Sequence, residues 1–191
     1  MVARFAAFLF VAFAFLATPA LADSAGDAKA LVDRVHKAAF EAAHEGAAVP
    51  QSVRDAFDGP FIAAAALGKY WDGASAGDRS QFIDALTDAI VKTLVRRLGK
   101  HRDQDFQILS TKTITGGDVI VRSRLSPPAQ DPLTIDWRIH RCKAGLCIAD
   151  LIVGGASMTV QRRDDLTARL KSNGGSLPKL IADLRKNPIR L

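Results

Sequence analysis

The chain has 191 residues, 48% of them hydrophobic, and a formal net charge of +6. That length suits one domain with a sizeable core, and no internal repeat, heptad array or low-complexity tract divides it. The basic excess fits anionic lipid headgroups, an acidic docking surface or simple surface solvation. Export, argued next, makes nucleic acid a poor partner.

Residues 1–22 read as a signal peptide. Arg4 charges a short n-region, Phe5 to Ala17 is uncharged and apolar, and Ala20-Leu21-Ala22 is an A-x-A site that places cleavage before Asp23. The apolar run is shorter than the roughly 20 residues a membrane-spanning helix needs. No Cys follows it for lipid attachment, so residues 23–191 are expected as a single exported, periplasmic domain.

Helical spacing runs from Ala28 to about His44 through Leu31, Val35, Ala38 and Ala42, and Gly46 closes it. Pro50 breaks the chain, and a short helical piece, Ser52 to Phe57, follows. Phe57 to Trp71 (F-D-G-P-F-I-A-A-A-A-L-G-K-Y-W) predicts a helix capped by Asp58, with Pro60 in its first turn and Phe57 stapling onto Ile62. Ser75 and Asp78 open another helix, whose Phe82, Leu86, Ile90, Leu94 and Leu98 keep one face before Gly99.

Period-two material comes next. Phe106 to Ile114 and Val119 to Arg124 flank a Gly116-Gly117 turn and predict a hairpin. Three prolines make 126–132 a loop. From Thr134 to His140, Ile135, Trp137 and Ile139 share one face, and Asp136, Arg138 and His140 the other. Ile148 to Val153 supplies a fourth strand. Gln161 to about Lys171 and Leu177 to Lys186, separated by Asn173-Gly174-Gly175, close the chain as helices. The expected fold class is α+β, a four-stranded antiparallel sheet with helices over one face, enclosing an apolar pocket.

Cys142 and Cys147 flank Lys143-Ala144-Gly145-Leu146. In an oxidising compartment the spacing favours a disulfide between directly paired strand residues; the alternative is a free or metal-binding pair, which lacks further ligands for zinc.

No catalytic constellation emerges. Gly155-Ala156-Ser157-Met158 lacks the second Gly of a nucleophile elbow, and His36, His44, His101 and His140 form no compact ligand set. No cofactor motif and no metal site are expected. Asp136 and Asp150 could pair as carboxylates on neighbouring strands, but Arg138 and Arg141 make salt bridges the stronger reading. Basic clusters at Arg96-Arg97, Lys100-His101-Arg102, Arg122/Arg124 and Arg138 to Lys143 lack the interleaved aromatics of a nucleic-acid platform.

Joint order then carries a resemblance. Phe57-Asp58, Ile62-Ala63, Leu67-Gly68 and Tyr70-Trp71 follow an "F-D … M-A … L-G-x-x-W" pattern, continued by Ser75, Arg79 and Phe82. Asp136-Trp137-Arg138 is similar to "V-D-W/Y-R", and Ile148, Asp150, Gly155 and Ser157 to "I-x-D-V-x-V-E-G-V-S". Arg163 stands at the Arg of "N-Y-R-x-x-F", and Leu177, Leu180 and Leu184 match a final leucine-rich helix. In this the chain resembles the MlaC, or toluene-tolerance, family of periplasmic phospholipid-binding proteins. Departures are Gly154 for Glu, Arg162 for Tyr, Leu166 for Phe, and the Cys-flanked turn; they bear on headgroup and partner more than on fold.

The resemblance implies a lipid carrier without enzymatic activity or cofactor, its ligand a phospholipid with the acyl chains inside. Implied partners are an outer-membrane lipoprotein complex and an inner-membrane ABC transporter with its periplasmic substrate-binding subunit. Candidate acyl-contacting residues are Phe61, Ala64, Leu67, Trp71, Phe82, Leu86, Ile90, Leu94, Val121, Ile135, Trp137, Ile139 and Ile152. Two alternatives stand beside it: a hopanoid- or sterol-linked carrier of the same family, and a small-molecule enzyme with Asp136, Asp150 or Tyr70 inside an α+β pocket.

Overall fold

The computed structural model describes residues 24–100 and 102–187. The expected leader, its cleavage site and His101 lie outside the described residues. In chain order the elements are α1 (Ser24–Glu45), α2 (Gln51–Asp55), α3 (Gly59–Leu67), α4 (Ala76–Leu98), β1 (Asp105–Thr113), β2 (Val119–Ser126), β3 (Leu133–Cys142), β4 (Gly145–Val153), β5 (Ala156–Ser157), α5 (Met158–Ser172) and α6 (Leu177–Lys186).

The strands form one antiparallel meander in the order β1-β2-β3-β4-β5. The expected α+β class holds, but with five strands rather than four. Gly154 and Gly155 have φ values of 59° and 81°, a left-handed pair that lets the chain double back at once. Ser157 then pairs with Ile152, and α5 starts at Met158 instead of Gln161.

Period-two burial sets the inner face. Val119, Val121, Ser123 and Leu125 are buried on β2, opposite Ile139, Trp137, Ile135 and Leu133. Buried Ser123 earns its place by satisfying the Trp137 indole: Nε1–H donates to its Oγ at 2.8 Å, and that hydroxyl reaches the Ile135 carbonyl at 3.3 Å. On the outer face Arg122 grips Asp136 with two 2.7 Å bonds, and Arg138 bonds Asp118 at 2.7 Å. Asp136 thus pairs with Arg122, a partner the sequence reading did not consider.

The β4 edge does not stay bare. Ile148 donates to the Ala56 carbonyl at 2.7 Å and accepts from Asp58 N–H at 3.0 Å, so the entry to α3 is stitched onto the sheet. The disulfide Cys142–Cys147 forms, with Cα atoms 5.9 Å apart. Its geometry differs from direct pairing: Cys147 lies opposite His140 and Cys142 opposite Gly145, so the bridge runs diagonally across the hairpin.

Candidate functional site

Each helix at the candidate site is fixed by its cap. Asp58 accepts the Phe61 N–H at 3.0 Å, and Pro60 in the first turn has no N–H to satisfy. Ser75 accepts the Asp78 N–H at 3.1 Å and donates back to its carboxylate at 2.8 Å, while Ser157 caps α5 through the Val160 N–H. These starts lay α3 against α4 and α5, with Ile62, Ala63, Ala66 and Leu67 on its buried stripe.

Where α3, α4, α5 and β4 meet, a cavity of about 30 Å³ remains. Its walls are Phe57, Ile62, Ala66, Leu86, Ala89, Ile90, Leu151 and Met158, with Asp150, Thr159 and Arg162 as the polar members. That volume is about one water molecule's worth. The alanines of α3 therefore close a packed interface here.

Asp150 is buried, and both its oxygens are hydrogen-bonded. Its carboxylate accepts from the Leu151 and Thr159 N–H groups at 2.9 and 3.1 Å, from the Thr159 hydroxyl at 2.9 Å, and from the Ser157 hydroxyl. Three of these donors meet Oδ1 and one meets Oδ2, so the carboxylate ties the β4–β5 turn to α5. Arg162 is the opposite case. Its Nε is buried with no hydrogen-bond partner among the described residues. Burial lowers its pKa; Asp165 opposes that, and Arg169 and Arg97 add to it.

The candidate acyl-contacting residues separate into groups. Leu86 and Ile90 line the cavity. Leu67, Phe82, Leu94, Val121, Ile135, Trp137 and Ile139 are buried in the same continuous core. Ala64 is half-buried, and Trp71 is half-buried beneath Arg79, whose Nε–H also bonds the Trp71 carbonyl at 3.0 Å. Phe61 is 39% exposed and leans edge-on against His140, whose Nε2 lies 2.9 Å from Asp58. Ile152 lies opposite Asp136, on the face away from Trp137. The sequence reading missed Phe57, Ile62, Ala66, Ala89, Leu151, Met158, Thr159 and Arg162 as cavity walls. Ile62 and Ala66 had a signal in their i, i+4 spacing; Met158 and Arg162 were lost when the start of α5 was set too late.

A wider groove of about 1130 Å³ lies outside, between α2, α4, α6 and the disulfide hairpin. Two of its four cations, Arg54 and Lys92, meet Asp88, while Lys143 and Arg185 also line it. Among the described residues no group of His, Cys, Asp and Glu could hold a metal ion, and no helix is long and apolar enough to cross a membrane.

No curated protein matches the chain. Among solved structures, a phospholipid-binding protein from Ralstonia solanacearum, in complex with a phospholipid, is similar in fold: TM-score 0.65 at 18% identity, covering 83% of this chain and 95% of that one. The family model described as MlaC protein matches residues 28–186, so the chain belongs to the MlaC family.

Proposed function

We propose that this protein is a periplasmic phospholipid carrier that shuttles lipid between an outer-membrane lipoprotein complex and an inner-membrane ABC transporter, serving outer-membrane lipid asymmetry. The observation that carries this reading is the family match across residues 28–186. The phospholipid in the Ralstonia relative supports it. So does the site's chemistry, a convergence of hydrocarbon walls in which the buried carboxylate is already bonded.

The physical case is direct. Each acyl CH₂ withdrawn from water is worth about 0.8 kcal/mol, so a two-chain lipid needs an escort between membranes. A cavity of about 30 Å³ holds no acyl chain, so uptake requires α3 to part from α4 and α5. Its N-terminal end is pinned by the Asp58 cap, the Ile148 bonds and the close seat of Gly59 on α4. Its C-terminal end finishes at Gly68, with φ of 55°, under the Arg163 side chain.

Mass spectrometry of protein purified from a Gram-negative envelope tests the proposal. Stoichiometric phospholipid is the expected result. Recovery of only lipid-free protein from repeated preparations overturns it, and a polycyclic lipid in place of phospholipid overturns the ligand class.

A further inference from the structure

The buried cavity and the open groove share a wall. Phe57 and Ala89 border both the cavity of about 30 Å³ and the groove of about 1130 Å³. The cavity is lined almost wholly by carbon, and the groove carries charge. A ligand with acyl chains and a wet headgroup needs two such compartments side by side. The groove's charges then fall into two sets. Asp88 holds Arg54 and Lys92, Asp58 holds His140, and Asp55 accepts from the Gln51 amide at 2.8 Å. Asp84, Lys143 and Arg185 line the same groove and form no hydrogen bond or ion pair among the described residues. They come from three elements. Asp84 is on α4, Arg185 is in the last turn of α6, and Lys143 sits between the bridged cysteines, so the disulfide holds the loop that carries it.

Resting on the phospholipid-carrier reading above, we propose that this groove seats the headgroup of the carried lipid, in contact with water, and favours a zwitterionic one. Lys143 and Arg185 receive the phosphate, and Asp84 receives the ammonium. The acyl chains pass inward across the Phe57–Ala89 wall into the seam of α3, α4 and α5. The phosphate stays outside the hydrocarbon, so no charge is withdrawn from water to bind it. A headgroup with a phosphate and no ammonium keeps both cations but meets Asp84 as a like charge. All three side chains are exposed, and exposed ion pairs are individually weak and screened by salt. The groove therefore sets a several-fold preference among headgroups, while the chains supply the affinity.

The test compares wild type with the double variant Lys143→Glu, Arg185→Glu and with Asp84→Lys. Each is offered vesicles carrying fluorescent phosphatidylethanolamine or phosphatidylglycerol with identical chains. Glycerophosphoethanolamine, the same headgroup without chains, is titrated separately. Wild type is expected to favour the ethanolamine lipid by about threefold. The double variant should lose about tenfold in affinity for both lipids, and Asp84→Lys should abolish or invert the preference. Thermal midpoints should not move, because the substituted side chains are exposed. Equal affinities in wild type and both variants overturn the inference and leave the carrier reading standing. Failure of wild type to take up either lipid overturns the carrier reading itself. Loss in the double variant with an unchanged preference in Asp84→Lys keeps the phosphate contact and overturns the zwitterion assignment. Loss accompanied by a lowered midpoint assigns these residues a structural role and also overturns the inference. If glycerophosphoethanolamine binds wild type while lipid uptake ignores the substitutions, the groove serves a soluble phosphodiester and the headgroup assignment falls.

Discussion

His36 shows how one buried side chain writes a pH dependence into the molecule. It stacks on Phe106 with ring centroids 3.6 Å apart and planes 7° from parallel, and its Nε2 is buried without a hydrogen-bond partner among the described residues. Burial lowers its pKa to about 4 from 6.5, with Asp33 pulling weakly the other way. The unfolded chain therefore binds the proton first. Stability from this group is level above about pH 6.5 and falls as pH drops toward 4. His36→Phe should flatten that component, the two proteins diverging by about 1–2 kcal/mol at pH 4 after discounting partial exposure. Urea midpoints at several pH values check it, and parallel curves would refute it. Gly59 is a second residue whose role is steric. A Cβ there would lie 2.8 Å from Ile83 Cγ2 and 2.9 Å from Thr87 Oγ1, so Gly59→Ala should cost about 1–3 kcal/mol by overpacking α3 against α4.

Among the elements, α3 and the β3–β4 hairpin carry the clearest tests. Asp58 both caps α3 and pairs with His140. Asp58→Ala should destabilise by about 1–2 kcal/mol, whereas Asp58→Asn keeps the cap and recovers part of the loss. Thermal melts of the two variants separate the contributions. The disulfide closes a short loop, with a sequence separation of 5, so replacing both cysteines by Ser should cost only about 2 kcal/mol and leave the fold intact. This was the most legible level of the molecule. Periodicity placed α1, α4, α6 and the first three strands, because a single buried stripe or alternating face repeats along each. The short β5 was not legible. Its pairing depends on a two-glycine reversal bringing Ser157 beside Ile152, and two residues are too few to show a period.

For the molecule as a whole, the seam where α3, α4, α5 and β4 meet is the place to test the proposed carrier role. Ala66 is 1% exposed and lines the cavity, so Ala66→Ile should overfill about 30 Å³ of space in the α3–α4–α5 seam, where lipid uptake is proposed. A loss of lipid uptake beyond its thermal penalty of about 1–3 kcal/mol is expected, read in a vesicle transfer assay. The sequence by itself determined the α+β class, the capped α3 block, the family pattern and the disulfide's existence, because each rests on local spacing or residue order. Tertiary structure decided which apolar residues meet in one cavity, that Phe61 turns to His140 and Ile152 to the far face, and that Asp150 is held by Ser157 and Thr159. It also decided that Arg162 Nε is covered without a hydrogen-bond partner among the described residues. Contacts between residues far apart in the chain leave no period to read, since they depend on how a twisted sheet edge and three capped helices converge.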